Sequence, residues 1–291
     1  MMTELLTNSS LLYSPVYRPA QRHRTSRGAL LPVMAWIHGG GFIFGDAEGG
    51  PIGGSFNGTA LATAHNVVLV SLQYRLDTLG FLALSEDMGG GPGVTGNLGL
   101  LDQRAALQFL QANAAAFGGD PARVLLFGQS AGAVSICAHL TSAASAGLFA
   151  TAIAESPLCD SSIFFADLAA QLAFGERYAA AVGCPAATSS AVTSSAATSA
   201  TPQLDCLRAL PLDVVVSDLV MNRSQYPPLP GQPSLPLLLP VLPWVLTVDG
   251  AEQGVPARPL DRLRAKDYNR VPFIIGTNKV TRPGNSCKVH N

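Results

Sequence analysis

The chain has 291 residues, enough for a large core, and its 48% hydrophobic content is that of an ordinary globular protein. Charged residues make up only 13%, and a net charge of −1 argues against nucleic acid as a partner. No uninterrupted apolar run reaches the ~18 residues that a membrane-spanning helix needs, and the stretch from Leu235 to Leu246 is broken by Pro236, Pro240 and Pro243.

The opening Met1-Met-Thr-Glu-Leu-Leu has no basic region and no long apolar core, so no signal peptide is read there. His23 stands among Arg22, Arg24 and Arg27 in a stretch that reads as a solvated loop. Pro32 to Ile37 reads as a buried strand, with Val33–Ile37 at its heart, and His38-Gly39-Gly40-Gly41-Phe42 follows. Three successive glycines let a loop turn its amides inward with no side chain in the way. Val67–Leu72 is the next strand, with His65 before it as a surface helix end.

A helix is predicted from Leu98 to Ala116, apolar at helical spacing through Asp102–Leu110, and Phe117-Gly-Gly-Asp-Pro121 stops it. Val124–Phe127 reads as a strand that feeds Gly128-Gln129-Ser130-Ala131-Gly132, and an Ala-rich helix from Ala131 to Leu140 follows at once. His139 and Cys137 read as packed residues of that helix. Thr151–Ala154 is a strand, Leu168 to Val182 a helix, and Phe273–Ile275 a later strand. Ala186 to Thr201 is low-complexity Ala/Ser/Thr, read as a mobile insertion, and Tyr226 to Pro243 is a Pro-rich extended excursion. Strands alternating with helices give an α/β fold, a mostly parallel central sheet flanked by helices. No internal repeat is evident.

Gly-x-Ser-x-Gly alone is weakly specific in a chain with 29 glycines. Its setting decides it: an apolar strand before and a helix after are the surroundings of a nucleophile elbow. The turn is so tight that bulky residues two before or two after the serine would collide with the neighbouring strand and helix. Glycines at 128 and 132 remove that clash and leave Ser130 Oγ at a helix N-terminus, where the dipole favours negative charge. Acyl transfer builds charge on a carbonyl oxygen, which preorganised N–H donors meet best. The glycine loop after the first strand suits that task.

These residues resemble the type-B carboxylesterase family, which holds carboxylesterases, cholinesterases and fungal lipases. The resemblance is dense from Leu31 to Ser156. It runs through Trp36–Phe42, Val67–Arg75, Leu79–Leu82, Gly96–Gln103, Phe117–Pro121, Phe127–Ala133, Gly147–Phe149 and Ala152-Ile153. Leu11–Pro19, Val248–Gly250 and Val271–Lys279 extend it more weakly. It implies an α/β-hydrolase fold, incomplete at the C-terminal end. Residues 1–30 would be a partial strand region and loop, 31–279 a partial catalytic domain and 280–291 a divergent tail. It implies Ser130 as nucleophile, with the N–H groups of Gly40, Gly41 and Ala131 as oxyanion hole. The reaction would be attack on an ester, an acyl-enzyme, then hydrolysis. His38 would shape backbone rather than take protons.

The departures matter equally. The family's triad acid is a Glu shortly after an Asn-Lys pair, whereas here Asn278-Lys279 is followed by Thr281, and no carboxylate side chain comes after it. The family's triad His lies further along, His290 reads as frayed tail, and Leu11 stands where a first disulfide's Cys is expected. No triad acid or base is therefore identified, and the chain is expected to hydrolyse esters feebly or not at all.

Five cysteines give no metal-site spacing, and no cofactor is implied. Cys184 and Cys206 bracket a loop where family members often carry a disulfide, which hints at a secretory-pathway lineage. Cys159 and Cys287 have no evident partner. Cholinesterase-like members carry Glu before the nucleophile, where this chain has neutral Gln129, so the implied substrate is a small, neutral carboxylic ester. Acyl length and oligomeric state stay open. A non-catalytic esterase-like binding protein and a truncated gene product are the alternatives.

Overall fold

The apolar runs read as strands pair into one sheet. A computed structural model describes residues 14–19, 29–49, 56–85, 96–159, 163–184, 202–221 and 244–278. The expected insertions at 186–201 and 226–243 and the tail 280–291 lie outside the described residues, as do His23, Cys287 and His290.

The described strands are β1 (Val16–Tyr17), β2 (Leu31–Ile37), β3 (Val68–Leu72), β4 (Gly119–Gln129), β5 (Thr151–Glu155), β6 (Phe165–Asp167), β7 (Leu246–Val248) and β8 (Phe273–Gly276). Six form the main sheet in the order β1-β3-β2-β4-β5-β8. β1 runs antiparallel to β3, and the other pairings are parallel. β6 and β7 pair separately, also in parallel. All five residues of β3 are buried, as expected of a strand with covered faces.

Two facts of topology position the site. From β2 the chain steps to β3 on one side and later returns to β4 on the other, so strand order reverses at β2. Open α/β sheets bind ligands at such a reversal, beyond the carboxyl ends of the strands. The register sets those ends level: Val33 lies opposite Val68 and Val124, and Ile37 opposite Leu72 and Gly128. The glycine loop and the serine turn therefore leave the sheet side by side.

The described helices are α1 (Thr59–His65), α2 (Asp77–Phe81), α3 (Leu98–Asn113), α4 (Ala131–Thr141), α5 (Leu168–Ala181), α6 (Pro202–Ala209), α7 (Leu212–Met221) and α8 (Pro259–Arg264). α3 buries Leu100, Leu107 and Leu110 along one face. It also buries Asp102, which accepts Arg75 Nε at 2.7 Å, Arg75 Nη2 at 2.8 Å and the Arg75 main-chain N–H at 2.9 Å. That bidentate pair locks the segment after β3 to α3. Every residue of α4 is buried, and the helix packs on β4, β5, β2 and α8. Asn97, at the start of α3, reaches far along the chain: its amide donates to Thr247 O at 2.8 Å and accepts from Thr247 N at 3.0 Å.

Cys184 and Cys206 form the expected disulfide, with Cα atoms 5.8 Å apart. The other cysteine reading is corrected. Cys137 is bonded to Cys159, with Cα atoms 5.7 Å apart, so it is neither a free core thiol nor is Cys159 without a partner. The pairing arises because α4 packs back along β5, which brings the helix beside the segment that leaves that strand. Each bridge joins residues 22 apart, and closing a loop of that size stabilises by about 3 kcal/mol.

Candidate active site

The bend between β4 and α4 is built around a residue in an unfavourable conformation. Ser130 has φ 55° and ψ −120°, a state costing on the order of 1–3 kcal/mol for a residue with a Cβ. Backbone bonds on both sides hold it there. Its N–H donates to Glu155 O at 3.0 Å, and its carbonyl accepts from Val134 N at 2.9 Å. The flanking glycines make room for the bend. A Cβ on Gly128 would stand 2.6 Å from Ile37 O, and one on Gly132 would stand 2.1 Å from the same oxygen.

The glycine loop lies against this bend. A Cβ on Gly39 would come 3.1 Å from Ser130 Cβ and 2.8 Å from Gln129 O. Gly40, Gly41 and Phe42 all have positive φ, at 112°, 63° and 64°. The turn closes on Gly40 O, which accepts from Ile43 N at 3.1 Å and Phe44 N at 3.2 Å. Phe42 anchors it: its buried ring packs on Phe81 at 4.7 Å between centroids, and its carbonyl accepts from Asp77 N at 2.7 Å.

His38 belongs to the frame of this loop. Its carbonyl accepts from Tyr74 OH at 2.9 Å, its ring stacks on Tyr74 at 4.4 Å, and Nδ1 donates to Gly39 O at 2.8 Å. Burial lowers its pKa, more than the Gly39 bond and Asp46 raise it, which favours the neutral ring. Meanwhile the N–H groups of Gly40, Gly41 and Ala131 donate to no group among the described residues. Ser130 is half-buried, whereas Gly41 and Ala131 are buried. The arrangement thus presents a hydroxyl at a helix start, beside a loop with unused amide donors.

The two other described histidines do other work. His65 closes α1 and is exposed. His139 is fully buried, with Nδ1 2.9 Å from Ser145 Oγ and Nε2 3.1 Å from Gln103 Oε1. Burial, and then the Arg104 charge, push it down to about 3. Arg104 continues the network to Ser142 Oγ and Ser145 Oγ, each at 3.1 Å. Asn269 Nδ2 ties in the carbonyls of His139 and Ser142. Thr281 lies outside the described residues.

The sequence reading missed Asp77. It is 3% exposed, has φ 54°, and combines the bond to Phe42 with a side-chain bond to Thr78 N at 2.8 Å. It therefore clamps the glycine loop from α2. A short polar residue before Thr78-Leu-Gly80 was the available signal, because Asp tolerates the left-handed region. Among the described residues, no group of His, Cys, Asp and Glu could hold a metal ion, and no helix is long and apolar enough to cross a membrane.

Comparison with known proteins bears on this geometry. The sequence profile of the "Carboxylesterase family" matches residues 8–284. The chain is 34% identical over 291 residues to liver carboxylesterase 1 of Oryctolagus cuniculus, covering 96% of the chain and 45% of that protein. It is 35% identical over 270 residues to liver carboxylesterase 1 of Mus musculus, covering 92% and 42%. It is 34% identical over 280 residues to acylcarnitine hydrolase of Mus musculus, covering 96% and 41%. The chain thus spans less than half the length of these curated relatives.

Proposed function

This chain belongs to the carboxylesterase family, with its α/β-hydrolase fold, and from that premise we propose that it carries the acylating half of an ester hydrolase site. Ser130 Oγ attacks the carbonyl carbon of a neutral carboxylic ester. The carbonyl oxygen takes the negative charge and is met by the N–H groups of Gly40, Gly41 and Ala131. The carbon–oxygen bond to the alcohol breaks, the alcohol leaves with a proton, and water later releases the acid from the acyl-serine. One observation carries the reading: the strained Ser130 stands beside a glycine loop, and the three amides named donate to nothing among the described residues.

Among the described residues no histidine is placed to serve Ser130 as base. His139 is locked in a buried network and His38 is stacked in the loop frame, while Thr281 takes the place where the resemblance calls for Glu. A serine hydroxyl without a hydrogen-bonded base is a poor nucleophile. Oxyanion stabilisation and binding alone sustain on the order of 10³-fold acceleration over water. Hydrolysis of p-nitrophenyl acetate by the chain is therefore expected to exceed buffer by no more than about that factor. Sustained turnover at the rate of a complete triad, abolished by Ser130→Ala, would contradict the missing base. Release equal to buffer, with no acyl group ever found on Ser130, would favour a non-catalytic binding protein.

A further inference from the structure

Resting on that reading of Ser130, we infer that Cys137 and Cys159 are positioning residues for the ester chemistry. Their bridge holds the nucleophile at its bend, and a dithiol reductant that opens the bridge slows Ser130. A backbone in so sparsely populated a conformation persists only where its surroundings over-determine it. Two elements supply that hold. Ser130 N donates to Glu155 O at the end of β5, and Ser130 O accepts from Val134 N in the first turn of α4. The bridge joins α4 to the segment leaving β5. Ser130, Val134 and Cys137 stand at i, i+4 and i+7, along one side of the helix. Glu155 lies four positions before Cys159. The bond from Ser130 to Glu155 is thereby enclosed in a short ring that the two sulfurs close.

Other support beside β5 is thin. Outside it the sheet of described strands has only β8, where Ile274 is 64% exposed and Ile275 55%. Ser156, itself at φ 55°, donates to Gly276 O in that edge strand at 2.6 Å. Pro157, Leu158 and Cys159 make no hydrogen bond with any described residue. The second bridge is an internal contrast. Cys184–Cys206 also joins residues 22 apart, but Cys184 follows α5 and Cys206 lies in α6. Loops of equal size are worth equal stability in the chain-entropy account, so an effect of the first bridge alone on Ser130 is positional.

Opening proceeds by thiol–disulfide exchange. A thiolate of the dithiol attacks the Cys159 sulfur, the S–S bond breaks, and Cys137 leaves as a thiolate that takes up a proton. The second thiol of the reagent then attacks the mixed disulfide and releases Cys159. The bridge gains two electrons and two protons, and the reagent becomes a cyclic disulfide.

The test uses the full chain with Cys184→Ala, Cys206→Ala and Cys287→Ser, where 137 and 159 are the cysteines that remain. An alkyl fluorophosphonate at alkaline pH is the electrophile, and peptide mass spectrometry reads phosphonyl-Ser130. Hydrogen exchange reads the Ser130 amide. Oxidised, this chain is expected to label as fast as the unaltered one. With dithiothreitol, labelling is expected to slow about tenfold, less than the ~100-fold that an ångström of misplacement costs. The amide is expected to exchange about tenfold faster, the circular dichroism to stay that of the folded chain, and reoxidation with glutathione disulfide to restore both rates. Equal labelling in the two redox states overturns the assignment and leaves the ester reading standing. So does an oxidised chain already as slow as the reduced one. An amide indifferent to the bridge overturns it whatever the labelling. Unfolding on reduction also overturns it, because the bridge then supports the whole fold rather than Ser130. If the amide responds to the bridge but Ser130 is labelled in neither state, the hold on Ser130 stands and the ester reading falls.

Discussion

Gly132→Ala is expected to destabilise the chain by about 3 kcal/mol or more, lowering its melting temperature by roughly 6–12 °C. The added methyl would stand 2.1 Å from Ile37 O and 2.8 Å from both Ile37 C and His38 O. All three are backbone atoms, so no side chain can swing aside. Relief requires pushing α4 away from β2, and each residue of α4 is buried. Moving that helix also moves Ser130 away from the glycine loop. Gly147→Ala is the control. Gly147 has φ 76° with nothing within 4 Å of a built Cβ, so the cost there is conformational strain alone, about 1 kcal/mol. Thermal melts of the two variants decide it. A Gly132→Ala chain that melts within a degree of the original would show that the elbow is looser than this packing allows.

Asp77→Asn is expected to stabilise the chain by about 2–3 kcal/mol at pH 7 and to do little at pH 4. Burial holds the Asp77 carboxyl up to about 6, and its bonds to Thr78 offset that only in part. An unfolded Asp titrates near 4. Between about pH 4 and 6 the folded chain therefore keeps a proton that the unfolded chain has released, and stability is lost as pH rises through that window. Asparagine stays neutral, still accepts from Thr78 N and tolerates the left-handed backbone. His139 has the opposite sign. Its folded pKa is held down to about 3, so its contribution is present above the unfolded value of about 6.5 and is lost as pH falls toward 3. Across pH 4–6 these two slopes oppose each other in the unaltered chain. In Asp77→Asn one of the opposing slopes is removed, so acidification favours the variant less than it favours the unaltered chain. Asp249, which burial also raises, is common to both chains and drops out of their difference. Urea unfolding at pH 4 to 8 reads this directly, and a gap that is constant with pH would contradict it.

Both results depend on features of unequal visibility in the sequence. Strands β2, β3, β4 and β5 were legible because a strand inside a parallel sheet is an unbroken apolar run. The elbow was legible because its two glycines answer a local collision with β2. β4 was read too short. Phe117-Gly-Gly-Asp-Pro121 does end the helical region, with Gly118 left-handed, yet the strand already begins at Gly119, which pairs with Leu31. A turn-rich stretch hides such pairing. β6 and β7 are three residues each and meet across a long sequence gap, so no periodicity announces them. The Cys137–Cys159 bridge depends on where α4 lies against the segment after β5, which spacing does not encode. Asp77 escaped because its importance comes from the backbone atom it meets, Phe42 O, rather than from its own chemistry.

The alignment of the serine with the amides can be read in one structure. The chain is held with excess alkyl fluorophosphonate at high pH, where hydroxide replaces the missing base, and crystallised as the adduct. The phosphorus is expected on Ser130 Oγ, with its oxygen about 2.7–3.1 Å from the nitrogens of Gly40, Gly41 and Ala131. An adduct on another residue, or a phosphoryl oxygen turned to solvent with those three amides still unpaired, would contradict it.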